Sequence, residues 1–82
     1  MITVKLVYTD DWAGLYINGI LKAEGHEITF ENGFNIVCKE ISDKAIGSYI
    51  KFDSIHVDYD WMEKQGSLPN KFEDIPDEVL YQ

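Results

Sequence analysis

The stretch Trp12–Ile28, WAGLYINGILKAEGHEI, decides how the 82-residue chain folds. It holds two short apolar runs separated by Asn18-Gly19, the pair favoured in a two-residue type I′ turn. Both central positions of such a turn need positive φ, which Asn tolerates and Gly adopts without steric cost. A β-hairpin follows, in which Ile17 faces Ile20, Tyr16 faces Leu21, Leu15 faces Lys22 and Gly14 faces Ala23. One face then carries Trp12, Tyr16, Leu21 and Ala23, and the other Leu15, Ile17 and Ile20. A ribbon that is apolar on both sides is not stable alone in water, so the rest of the chain must supply a further strand and a cover.

Upstream, Ile2–Tyr8 alternates with period two, which predicts a strand pairing antiparallel with Trp12–Asn18 across a Thr9-Asp10-Asp11 turn. A three-stranded meander results, closed by Ile20–His26. Downstream, Thr29 is placed to cap a helix, and Phe30, Phe34, Val37, Cys38 and Ile41 share one helical stripe over about residues 30–42. The rival reading is a second hairpin turning at Asn32-Gly33, because a Gly costs a helix interior about 1 kcal/mol relative to Ala. The continuation of the stripe to Ile41, and the sheet's need for a cover, favour the helix.

Gly47 is placed to end that helix or its continuation. Tyr49–Tyr59 then reads as a fourth strand, most firmly over Ser54–Tyr59. Asp60–Gly66 carries the signs of one or two helical turns ending at Gly66. From Ser67 the chain reads as an irregular acidic tail, with Leu68, Phe72, Ile75, Val79 and Leu80 as anchors onto the sheet or a partner. The expectation is a single α+β domain over residues 1–82, with a small antiparallel sheet in the order β-β-β, helix, β.

Composition narrows the function. The net charge is −8, from 15 acidic residues against 7 basic ones, all of them Lys. Residues 53–82 hold eight of the acids and two of the lysines, so the C-terminal third is the acidic part. Without guanidinium forks and with this charge, direct nucleic-acid binding and an anionic membrane surface are both disfavoured. No segment reaches the roughly 18 consecutive apolar residues that span a bilayer. The N-terminal MITVKLVYTD shows no signal-peptide pattern, and a single Cys38 cannot form an internal disulfide. These features lead us to expect a cytoplasmic location.

Two stretches, LYINGILKAEGHEI at Leu15–Ile28 and VDYDWMEKQGSLPNKFEDIP at Val57–Pro76, resemble a loose group of small uncharacterised proteins found in bacteriophage genomes. They cover less than half of the chain. Those proteins continue from Glu-Gly-His into a leucine-rich helix, whereas Gly33 and Asn35 interrupt that segment here. The resemblance implies a phage origin and a host-cell location, and carries no functional residue across.

Chemistry-bearing residues are few. His26, at a strand end, is expected to bond to the backbone of the following segment, and His56 to be a surface residue of a strand. Cys38 is expected to be a small buried hydrophobe. His26, Cys38 and His56 would have to converge from three elements to hold a metal, and nothing in their spacing brings them together. The carboxylate pairs Asp58/Asp60, Glu73/Asp74 and Asp77/Glu78 read as a solvated acidic face. No catalytic, cofactor or nucleotide motif is present, so a non-enzymatic protein-binding module is expected. Its candidate surface is Trp12, Tyr16, Tyr59 and Trp61 with Asp58 and Asp60, facing a host protein with a basic surface. DNA mimicry would need more evenly spread carboxylates. The alternatives are a component that self-associates through an open sheet edge, as a homodimer for example, and a small-molecule binder with a pocket lined by Trp and Tyr.

Overall fold

The computed structural model describes residues 2–42 and 50–81. Its strands are β1 (Ile2–Thr9), β2 (Trp12–Ile17), β3 (Ile20–Gly25), β4 (Ile50–Val57) and β5 (Leu80–Tyr81). Its helices are α1 (Phe30–Ser42) and α2 (Tyr59–Gln65), followed by 3₁₀ turns at Phe72–Asp74 and Asp77–Val79. The sheet order is β3-β2-β1-β4-β5, an α+β arrangement.

The hairpin turns where the sequence places it. Asn18 has φ 52° and Gly19 φ 82°, both in the left-handed region that a type I′ turn demands. Ile17 pairs with Ile20 and Tyr16 with Leu21, but a bulge between Leu15 and Tyr16 then sets Leu15 against Ala23 and Gly14 against Glu24. The bulge takes Lys22 out of the pairing and moves Ala23 to the Leu15 side of the sheet, a shift of one residue that exchanges faces.

β4 lies beside β1 and runs parallel to it, with Val4 opposite Phe52 and Val7 opposite Ile55, so the sheet is mixed rather than purely antiparallel. The cause is the helix: a strand joined through a helical crossover returns in the same direction, and α1 carries the chain from the β3 edge over the sheet to the far side of β1. The rival hairpin at Asn32-Gly33 does not form. Thr29 Oγ1 instead accepts from the Asn32 backbone N–H at 3.1 Å, capping α1 as the sequence suggests.

The inward side of α1 differs from the predicted stripe. Val37 is buried, with Ile36 and Ile28 packed beside it against Ile2, Val4, Leu15 and Ile17. Phe34 is 56% exposed and Cys38 is exposed, so Cys38 is not the buried hydrophobe expected of it. The side chains of Phe30 and Ile41, and the turn assigned to Gly47, lie outside the described residues.

Tyr59 belongs to α2 rather than to the fourth strand. Asp58 caps α2, which starts one residue before the expected Asp60: Asp58 Oδ2 accepts from the Trp61 backbone N–H at 3.0 Å. Gly66, with φ 76°, ends the helix in the left-handed conformation.

The C-terminal third is far more than a tacked-on tail, because it forms the second cover. Leu68 and Ile75 are buried with Val7, Tyr16, Val57 and Met62, while Trp12, Leu21, Trp61, Phe72, Val79 and Leu80 pack around them. Backbone bonds tie it across the hairpin: Leu21 N–H donates to Asn70 O at 2.7 Å and Phe72 N–H to Gly19 O at 2.9 Å. The segment then returns to the opposite edge as β5, where His56 pairs with Tyr81 and Val57 with Leu80. The hairpin's two apolar faces are thus covered separately, one by α1 and the other by residues 59–80.

Candidate functional site

The β1–β2 turn and α2 meet at one end of the molecule and enclose a hollow of about 240 Å³. Thr9, Asp11 and Trp12 form one wall, with Tyr59, Glu63 and Gly66 opposite. Local rules put them there. Thr9 ends β1, Asp11 completes a tight turn, and Tyr59 and Glu63 are four residues apart and therefore on the same side of α2.

Two polar atoms in this wall have no partner. Thr9 is only 8% exposed, and its Oγ1 is buried without a hydrogen bond. The Trp12 indole Nε1 is buried in the same condition. Each costs on the order of 1–3 kcal/mol while unsatisfied, and neither atom is open to a group from outside unless the wall moves. The Trp12 ring is fixed from behind by His26, edge to face at 5.1 Å between centroids. His26 Nδ1 lies 3.3 Å from the Asp11 backbone oxygen, so this histidine braces the preceding β1–β2 turn and not the segment after it.

The hollow is electronegative. Tyr59 is 40% exposed, and its phenol is held above its ordinary pKa first by Glu63 and then by Asp11, with burial and Asp10 contributing less. Asp60 and Glu63 continue the acidic surface along α2, next to Lys64 near its end. Among the described residues no group of three or more His, Cys, Asp or Glu is placed to hold a metal ion.

Of the six residues expected at a binding surface, the structure brings Trp12 and Tyr59 into this hollow, and Asp60 lies exposed beside it. Tyr16 is not available to a partner: it is 0% exposed, with its hydroxyl donating to Pro69 O at 2.6 Å and its ring edge to face with Phe72. The bulky ring sits in mid-sheet under the C-terminal cover, where burial, followed by Glu24 and Asp74, pushes its pKa up. Trp61 is half-buried against the same core. Asp58 serves α2 as its cap, and its Oδ1 accepts from the Tyr81 hydroxyl at 3.4 Å. Sequence reasoning missed Thr9, Asp11 and Glu63. The signal available for them was the acidic turn Asp10-Asp11 together with the four-residue spacing of Tyr59 and Glu63.

A second concavity, about 470 Å³, opens between α1 and the other sheet face, lined chiefly by Val4, Leu6, Leu15, Phe34, Val37 and Phe52. It is apolar and contains none of the Trp or Tyr residues expected of a small-molecule pocket. On the same face His56 is half-buried between Tyr8 and Tyr81, at centroid distances of 5.3 and 5.9 Å, as part of an aromatic row across three strands.

No helix among the described residues is long and apolar enough to cross a membrane. No protein-family model, no curated protein and no solved structure matches the chain.

Proposed function

We propose that the protein is a non-enzymatic interaction module whose acidic hollow receives a basic side chain of a partner protein. The observation that carries this reading is the meeting of the Asp11 and Glu63 side chains with the exposed Tyr59 ring in one small hollow, where the two carboxylates raise the phenol's pKa. A Lys or Arg side chain entering it would meet Asp11 and Glu63 and lie against the ring of Tyr59, where a cation is attracted by the π-system. The phage resemblance and the net charge of −8 favour a host defence or nucleic-acid-handling protein as the partner, since such proteins carry basic surfaces.

The test is binding of a short peptide carrying one Lys in a neutral context, measured against the same peptide with norleucine in its place. The Lys peptide should bind the wild-type protein, lose affinity as salt is raised through the range where the Debye length falls below about 10 Å, and lose it also to the Asp11→Asn/Glu63→Gln variant. Equal binding of the two peptides, or undiminished binding by the variant, would contradict the proposal.

A further inference from the structure

Among the described residues, one edge of the sheet is left open. β5 covers β4 only at His56 and Val57. Among the described residues nothing pairs with the outer side of Ile50–Ile55. The outward groups can be named, because hydrogen-bonding direction alternates along a strand. Asp58 N–H donates outward to Val79 O at 2.8 Å, so the N–H and C=O groups of Ser54, Phe52 and Ile50 also face outward. The side chains here are exposed as well, Phe52 at 64% and Ile50 at 37%. A row of unpaired backbone groups flanked by exposed apolar side chains is a template for another strand.

The charge pattern of the edge selects the occupant. On a chain with net charge −8, the open segment Ile50–Ser54, IKFDS, is neutral and carries just Lys51 and Asp53. Two copies of it laid antiparallel about a twofold axis through Phe52 put Lys51 of each copy directly opposite Asp53 of the other. A shift of the axis to Lys51 or to Asp53 would set like charges against each other at its centre, which is destabilising. A shift by a single residue would turn one copy's sheet over relative to the other. The Phe52 axis is therefore the register that matches both charge and face. It also satisfies the outward groups of Phe52 mutually and those of Ile50 with Ser54 of the other copy.

We infer that the protein self-associates as a twofold dimer through this edge, with Phe52 at the axis and two reciprocal Lys51–Asp53 pairs. The surface is separate from the acidic hollow, which remains open in both copies, so either assignment can fail without the other.

Sedimentation or light scattering across a concentration series, with reductant present to prevent Cys38 disulfides, tests it. The mass should rise from the 9.5 kDa of one chain to twice that value. Asp53→Lys faces Lys with Lys at both pairs and should raise the dissociation constant by about tenfold, whereas Lys51→Asp combined with Asp53→Lys should restore the dimer. Thermal unfolding establishes that each variant is folded. Independently of the variants, the Phe52 and Ser54 amides of the wild type should exchange more slowly as concentration rises. A monomer at every concentration would overturn the inference. So would a dimer that ignores Asp53→Lys, or Phe52 and Ser54 amides whose exchange does not depend on concentration.

Discussion

The Tyr16 hydroxyl donates to the Pro69 carbonyl oxygen at 2.6 Å, joining the centre of the hairpin to a segment 53 residues away in sequence. The bond lies at the junction of the sheet and its C-terminal cover, beside the Phe72 ring that meets Tyr16 edge to face at 5.6 Å.

Tyr16→Phe removes the donor and leaves Pro69 O without its partner, so stability should fall by about 1–2 kcal/mol in chemical denaturation. The same pair has an alkaline signature. The ordinary Tyr pKa is 10.0, and burial raises it in the folded protein, so above pH 10 the unfolded chain releases a proton that the folded one retains. The tyrosine's contribution is fully present below pH 10 and is lost as pH rises toward the folded value. Wild type should therefore lose stability above pH 10 more steeply than Tyr16→Phe. Parallel curves would contradict the burial assigned to this phenol.

Gly14 faces the cover directly. A Cβ there would overlap Leu68 Cδ1 and press on Leu21 Cδ1 at 3.2 Å. Leu68 is buried, and its backbone N–H is held by Glu24 Oε2 at 3.0 Å, so it has little freedom to retreat. Gly14→Ala should cost about 1–3 kcal/mol, and adding Leu68→Val should recover part of the loss. A neutral Gly14→Ala would show that the segment at Leu68 packs loosely.

Asn18 combines a φ of 52° with a side-chain Oδ1 that accepts from the Thr3 backbone N–H at 3.0 Å. Asn18→Gly keeps the conformation and loses only the exposed bond. Asn18→Ala loses both, at a further cost of about 1 kcal/mol for a left-handed alanine. Unfolding midpoints should therefore rank wild type above Asn18→Gly above Asn18→Ala. The reverse order of the two variants would contradict the type I′ turn.

What could be read in advance follows the range of the interactions. Asn18-Gly19, the Thr29 cap and Gly66 are local, so their dihedral and hydrogen-bonding demands are visible in neighbouring residues. The parallel placement of β4 against β1 depends on where α1 returns the chain, which periodicity does not encode. Leu68, Phe72 and Ile75 were legible as anchors. Their partners Gly14, Tyr16 and Val7 were not, because strap and hairpin meet only in three dimensions. For the same reason Tyr16 read as a surface aromatic while the hollow, assembled from Thr9–Trp12 and Tyr59–Glu63, was only half visible.

The acidic hollow is tested most directly by following the two indole N–H resonances in a heteronuclear NMR titration with the Lys peptide. Trp12 is one of the hollow's lining residues, whereas Trp61 packs against the core and is not. The account predicts a saturable shift of the Trp12 indole with Trp61 unmoved, abolished in Asp11→Asn/Glu63→Gln. A Trp12 indole that stays in place while the peptide binds, or equal shifts of both indoles, would contradict it.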